Sequence, residues 1–291
     1  MKYMISDPNG KPRQISIEVE DIDSEKAEKY LGHNYDSNRH VSKERVYAYA
    51  RDMTANEWEF TGQTIVFDEK GRLLDGQHRL YGVIKSGKTI KMIVIRGVSP
   101  TAVNFIDKNR VRSFGDTMRI TKNETALRFP ATQAAINSMI KRETPFNPTE
   151  SEKIWLFSKF EKECNDLERV VPHTLRKPIT ADFRGACLGA LIYGVPQEDL
   201  AEFVKVIRTR TPSMKYNDDA ALKWEDAIHK AYSINSRGMD TVEMYFGTQN
   251  ALYYFLKSYK YKRHKELKRW FPIKDKLIEA IQGRMDEGTN T

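Results

Sequence analysis

Apolar residues in the first part of the chain switch between two periods. Thr64-Ile65-Val66-Phe67 is a β-branched and aromatic run, Asp68-Glu69-Lys70-Gly71 has turn composition, and Arg72-Leu73-Leu74 runs back, so these residues predict a hairpin. Past Gly76 the spacing becomes helical: Leu80, Val83 and Ile84 mark one buried side of a helix over 77–86, which Ser86-Gly87-Lys88 closes. That spacing leaves His78 and Arg79 off the apolar stripe, on the solvated side. Ile90 to Ile95 is a β-rich apolar run of the kind found in a central strand. Upstream, Val46, Tyr49, Ala50 and Met53 give another helix an amphipathic face.

From about residue 122 the spacing is helical almost throughout. Ile136, Met139 and Ile140 mark one helix, and Ile154, Phe157 and Phe160 with Trp155 the next. Phe183 to Leu191, Leu200 to Ile207, and Ala221 to Tyr232 mark three more. Pro145, Pro148, Pro172, Pro178, Pro196 and Pro212 fall between them, where helices end. A last, long helix is expected to carry Leu252, Phe255, Leu256 and Tyr259 on its inner face. The fold class is therefore α+β, with a mixed domain over 1–121 and an all-α domain over 122–291 that ends in a basic C-terminal helix.

The candidate chemistry sits where strand meets helix, at Asp75-Gly76-Gln77-His78-Arg79. A helix start leaves backbone N–H groups without intrahelical acceptors at the positive end of the dipole, so an oxyanion is favoured there before any side chain helps. Arg79 adds a bidentate fork and a protonated His78 a further donor. Asp75 is either the N-cap of the helix or a carboxylate that holds Mg²⁺ against phosphates, with Asp75 and His78 then the catalytic candidates. Ser113 and Asp116 form a capping-box-like pair, which places Arg110 and Arg112 just before a helix start as further phosphate contacts.

Residues 35–120 resemble the ParB/sulfiredoxin-like superfamily, in a branch common in phage and mobile-element proteins whose box reads Asp-Gly-Gln-His-Arg. Asn38-Arg39 is similar to the element that precedes the first helix of ParB N-terminal domains. The strand at 91–96, the helix near 100–106 and the segment Asp107 to Ser113 continue the same order. The resemblance implies a sulfiredoxin-like fold in which Gly76, Gln77, His78, Arg79, Asn38 and Arg39 bind nucleotide phosphate, with ATP or CTP and Mg²⁺ as the cofactor. Gln77 stands where sulfiredoxin has its cysteine, so thiol chemistry is not implied, and Gln77-His78 replaces the glutamate-arginine pair of ParB.

Charge adds a partner. The net charge is +8 at pH 7, which favours an anionic one. Lys257, Lys260, Lys262, Arg263, Lys265, Lys268 and Arg269 put seven cations within thirteen residues, interleaved with Tyr259, Tyr261 and Trp270. These cations are read as contacts to a nucleic acid, most simply DNA, and the aromatics either pack inward or stack on bases. The two cysteines, Cys164 and Cys187, lie in helical patterns and read as core residues. There is no long apolar run and no signal-peptide pattern, so the chain is read as cytoplasmic with no membrane partner, and a homodimer is left open. The preferred function is nucleic-acid binding with a nucleotide site. The alternative is an ATP-dependent kinase or NTP hydrolase acting in nucleic-acid modification or counter-defence.

Overall fold

The computed structural model describes residues 1–6, 12–34, 40–104, 130–172, 174–175, 179–235, 237–262 and 268–287. The chain divides into two compact units, Met1–Val111 with Gly283–Thr291, and Arg112–Gln282. The expected boundary at 121/122 lies outside the described residues.

The first unit is built on a five-stranded mixed sheet. Its strands are β1 (Lys2–Ser6), β2 (Pro12–Ile22), β3 (Thr64–Asp68), β4 (Leu73–Asp75) and β5 (Ile90–Val98), in the order β1-β2-β5-β3-β4. The run at 90–95 is central, as its apolar, β-rich composition predicts: β5 pairs antiparallel with β2 (Ile17 opposite Ile95) and parallel with β3 (Ile65 opposite Val94). The β3–β4 hairpin is held by Asp68, whose carboxylate accepts from the backbone N–H groups of Lys70 and Arg72 and from Arg72 Nε. Helices α1 (Ser24–Leu31), α2 (Lys43–Thr54) and α3 (Gln77–Ser86) complete the unit. Its core joins Ile22, Met53, Ile65, Phe67, Leu73, Leu80, Val83 and Val94. Strands β1 and β2 and helix α1 carry no strong periodicity in the sequence and emerge only here.

A polar network fastens α1 to the sheet. Arg96 on β5 donates to Tyr30 Oη (2.6 Å), and Tyr30 donates to Glu20 Oε2 (2.6 Å), which Lys26 also reaches at 2.7 Å. Burial alone would raise the pKa of Glu20, but the bonds from Arg96, Lys26 and Tyr30 outweigh it and hold it at about 2 instead of 4.5. A carboxyl depressed on folding stabilises the folded state above its unfolded pKa and loses that contribution as the pH falls through the folded one. Glu20 is thus expected to contribute on the order of 2 kcal/mol at neutral pH, lost between about pH 4.5 and pH 2. Urea unfolding of wild type and Glu20→Gln at pH 6 and pH 3 checks this. The gap between the two proteins should narrow at the lower pH, and a constant gap would exclude the assignment.

The second unit is helical: α4 (Pro130–Glu143), α5 (Glu150–Lys159), α6 (Glu161–Val170), α7 (Ala181–Tyr193), α8 (Gln197–Thr209), α9 (Asp219–Ile234), α10 (Thr241–Leu256) and the part of α11 (Lys274–Glu287) that runs to Gln282. Helix α7 is buried on nearly every side, from Phe183 to Ile192, and is the one the others surround. Phe203 on α8 stacks on Phe183 and meets Phe255 on α10 edge-on. Cys164 and Cys187 are buried and free, as expected of core thiols. Helix α6 follows α5 after a single-residue break at Phe160, a boundary with no proline to mark it.

The expected basic C-terminal helix is not formed. Helix α10 stops at Leu256, Lys257 is its C-cap, and Ser258 takes a left-handed φ of +54° that carries the chain out of the helix. The residues from Lys257 to Lys262 and at 268–273 are irregular, and α11 begins only at Lys274. The helical signal misleads because the apolar set Leu252, Phe255, Leu256 and Tyr259 continues past the turn. Tyr259 lies beyond it and is exposed.

Candidate functional site

The box forms the turn between β4 and α3. Gly76 is the N-cap of α3, with φ +106° and ψ 1°, and a Cβ there would lie 2.4 Å from Ile65 Cδ1 and 3.3 Å from Ile65 Cα. Both the left-handed backbone and the close approach of β3 call for glycine. Asp75 is therefore not the N-cap. Its Oδ2 accepts from Arg79 Nη2 at 2.8 Å, an ion pair one helical turn long.

His78 and Arg79 are not on the solvated side of α3. They are 7% and 8% exposed, and Gln77 5%, because the start of α2 and the start of β3 close over the face that the apolar spacing leaves open. Arg79 fastens the start of β3 to the end of β4. It donates from Nη2 to Thr64 O (2.7 Å) as well as to Asp75, and from Nη1 to Gln63 Oε1 (3.2 Å), while its buried Nε has no partner among the described residues. The fork expected for a phosphate thus mostly binds the protein itself. Gln77 Oε1 accepts from Asn34 Nδ2 at 3.4 Å.

His78 makes the contact that shapes the site. Its Nε2 accepts the backbone N–H of Ser42 at 3.0 Å, so the neutral ring carries its proton on Nδ1 and a second proton would displace Ser42. Ser42 is the N-cap of α2, its Oγ accepting from Arg45 N–H at 3.3 Å. The starts of α2 and α3 therefore meet at this bond, and the positive ends of two helix dipoles converge. Lys43 and Arg45, in the first turn of α2, are exposed beside it, with Glu44 between them. The sequence reading missed Ser42, Lys43 and Arg45. Their one signal is a serine cap ahead of the amphipathic Val46 to Met53 pattern, and nothing in it points to His78.

The other expected ligands are distributed differently. Asn38, Arg39, Arg110 and Arg112 lie outside the described residues, as do Arg263 and Lys265 of the basic cluster. Among the described residues no group of three or more His, Cys, Asp or Glu converges on a metal position. With Asp75 Oδ2 held by Arg79, this donor set does not fit a protein-built Mg²⁺ cage, and no chemical step is assigned to one.

Lys257, Lys260, Lys262, Lys268 and Arg269 are exposed. Arg269 is bound to the helical unit: its Nη2 donates to Arg142 O (3.0 Å) and its Nε lies 3.5 Å from Glu143, a buried carboxylate whose pKa is raised by desolvation against the bonds from Tyr245 and Gln249. Most of the aromatics pack inward. Tyr253 stacks on Trp270 at 3.9 Å, and Tyr254 meets Trp270 and Tyr261 edge-on at 5.8 and 6.2 Å. Lys268 lies over the Trp270 ring.

No protein-family model, curated protein or solved structure matches this chain. No helix among the described residues is long and apolar enough to cross a membrane.

Proposed function

We propose that this chain is a nucleic-acid-binding protein of the ParB/sulfiredoxin-like kind, which holds the phosphate of a nucleotide where the starts of α2 and α3 meet. The observation that carries the reading is the bond from Ser42 N–H to His78 Nε2, because it brings two helix N-termini and the exposed Lys43 and Arg45 to one place beside a glycine turn. In this reading Gly76 lets the turn into α3 pack on β3 and so fixes the helix start, and Lys43 and Arg45 supply charge. Arg79 is a positioning residue, which keeps the turn in shape through Asp75 and Thr64. The order β3, β4, α3, β5, with β3 and β5 parallel, agrees with the resemblance read from the box. The basic segment from Lys257 to Arg269 is the contact to nucleic acid. Turnover by a kinase or hydrolase is the weaker alternative, since its candidate carboxylate, Asp75, is engaged by Arg79.

The test is a thermal-shift panel of ATP, CTP, GTP and UTP with Mg²⁺, with released phosphate measured in the same samples. A ligand at a hundredfold excess over its dissociation constant stabilises the folded state by about 2.7 kcal/mol, enough to raise the midpoint by several degrees. The double variant Lys43→Gln/Arg45→Gln should lose most of that rise while its ligand-free midpoint stays near wild type, because both side chains are exposed. No rise with any nucleotide removes the phosphate site from the proposal, and phosphate release would revive the enzyme reading. For the nucleic-acid contact, Lys257→Gln/Lys260→Gln/Lys262→Gln should weaken duplex binding and reduce the slope of log affinity against log salt by up to about 2.7. An unchanged slope would return these lysines to a solubility role.

A further inference from the structure

Tyr259 is the aromatic of the basic segment that the helical unit does not absorb. Its residue is 54% exposed, whereas Tyr253, Tyr254, Tyr261 and Trp270 pack on one another. The ring is nevertheless held. Its backbone N–H donates to Tyr254 O (2.9 Å), and its edge-on contact with Tyr254 has centroids 6.2 Å apart. The loop around it is tied down from both sides. Ser258 Oγ accepts from Asn217 N–H (3.2 Å), Asp219 Oδ2 accepts from Tyr261 N–H (2.7 Å), and Lys262 O accepts from Asn250 Nδ2 (3.0 Å). Lys257 precedes the ring and Lys260 and Lys262 follow it, all three exposed. Nearby Arg210 is ion-paired with Glu225 and Asp226 and Lys215 with Asp199, while Lys260 is close enough to the Asp219 carboxylate to help lower its pKa.

An exposed aromatic ring on a fixed loop, with cations before and after it, offers what an unpaired base and its phosphates need together: a π-face and a charged track. A duplex hides its base faces by stacking, so the ring adds nothing to duplex binding. We infer that Tyr259, with Lys257, Lys260 and Lys262, forms a stacking platform for single-stranded nucleic acid. The inference rests on the nucleic-acid reading above and specifies its substrate class.

Fluorescence anisotropy with labelled dT20, rU20 and a 20-base-pair duplex tests it on the full chain. Wild type should bind dT20 or rU20, and Tyr259→Ala should weaken that binding about tenfold while duplex affinity stays within about twofold. Tyr259→Phe should restore the single-strand affinity, because the π-face and not the hydroxyl is used. Equal single-strand affinity in wild type and Tyr259→Ala, or a loss no smaller on the duplex, overturns the platform while leaving the nucleic-acid reading in place. Absence of binding to all three oligonucleotides overturns both, as does binding to phosphatidylserine vesicles without oligonucleotide binding, which would make the loop a membrane contact. Both variants should stay folded, Tyr259→Phe with an unchanged unfolding midpoint and Tyr259→Ala with a slightly lowered one, since the ring packs edge-on against Tyr254.

Discussion

Arg79→Ala is expected to lower the stability of the sheet-containing unit by about 3 kcal/mol, the lower part of the range for breaking a mostly buried ion pair. The guanidinium is 8% exposed and holds Asp75, Thr64 O and Gln63 at once, so its removal leaves a carboxylate and a backbone carbonyl without their donor at the end of two strands. Lysine cannot take its place, because one ammonium does not span the directions that the planar fork covers. Asp75→Asn should be milder, since an amide keeps an acceptor for Arg79. In a double-mutant cycle with Asp75→Ala, the two substitutions should fall short of additivity by 1 kcal/mol or more, as befits contacting partners. Urea unfolding followed by circular dichroism measures all of these. A wild-type midpoint in Arg79→Ala would mean that the side chain is free for a ligand after all, and the roles given to Arg79 and to the helix starts would have to be exchanged.

Gly247→Ala should disrupt the helical unit to a similar degree. Gly247 lies in the middle of α10, where a methyl group usually favours a helix, but a Cβ there would stand 2.1 Å from Trp224 Cη2 and 2.6 Å from Cζ3. Trp224 cannot swing away, being fully buried with its Nε1 donating to Thr248 Oγ1 at 3.1 Å. The helices must then separate or the indole must leave its rotamer, at about 3 kcal/mol, the upper part of the usual overpacking range. The consequence reaches the basic loop, because α10 is the helix from which Lys257 and Tyr259 emerge and Asp219, at the start of α9, holds Tyr261. Any nucleic-acid affinity should therefore fall in Gly247→Ala although no contact residue is changed. Gly247→Ala with Trp224→Phe should recover part of the loss by making room for the methyl. If Gly247→Ala unfolds at the wild-type midpoint, Trp224 does not set the spacing of α9 and α10.

Local pattern was enough to recognise the hairpin, the glycine turn, helix α3 and the central strand β5, because each depends on residues close in sequence: Asp68 to its own turn, Gly76 to its own φ, Leu80 and Val83 to one helix face. It also marked the α+β class and most of the second unit's helices, whose apolar spacing needs no knowledge of neighbours. It failed at both candidate functional regions, for the same reason. A stripe of apolar residues says which face of a helix is buried by hydrophobic contact, but not which polar face another element will cover. Thus His78 and Arg79 read as solvated until α2 and β3 are placed over them, and Ser42 is unconnected to His78 until a bond across 36 residues joins them. Likewise Leu252, Phe255, Leu256 and Tyr259 share a helical period, yet the helix stops at Leu256. The chain beyond it is held by Asn217, Asp219, Gln249 and Asn250, partners that only the packed unit supplies. Backbone periodicity is a short-range property and was legible in the sequence. The burial of charge and the path of an irregular loop depend on contacts distant in sequence, and only the tertiary structure decided them.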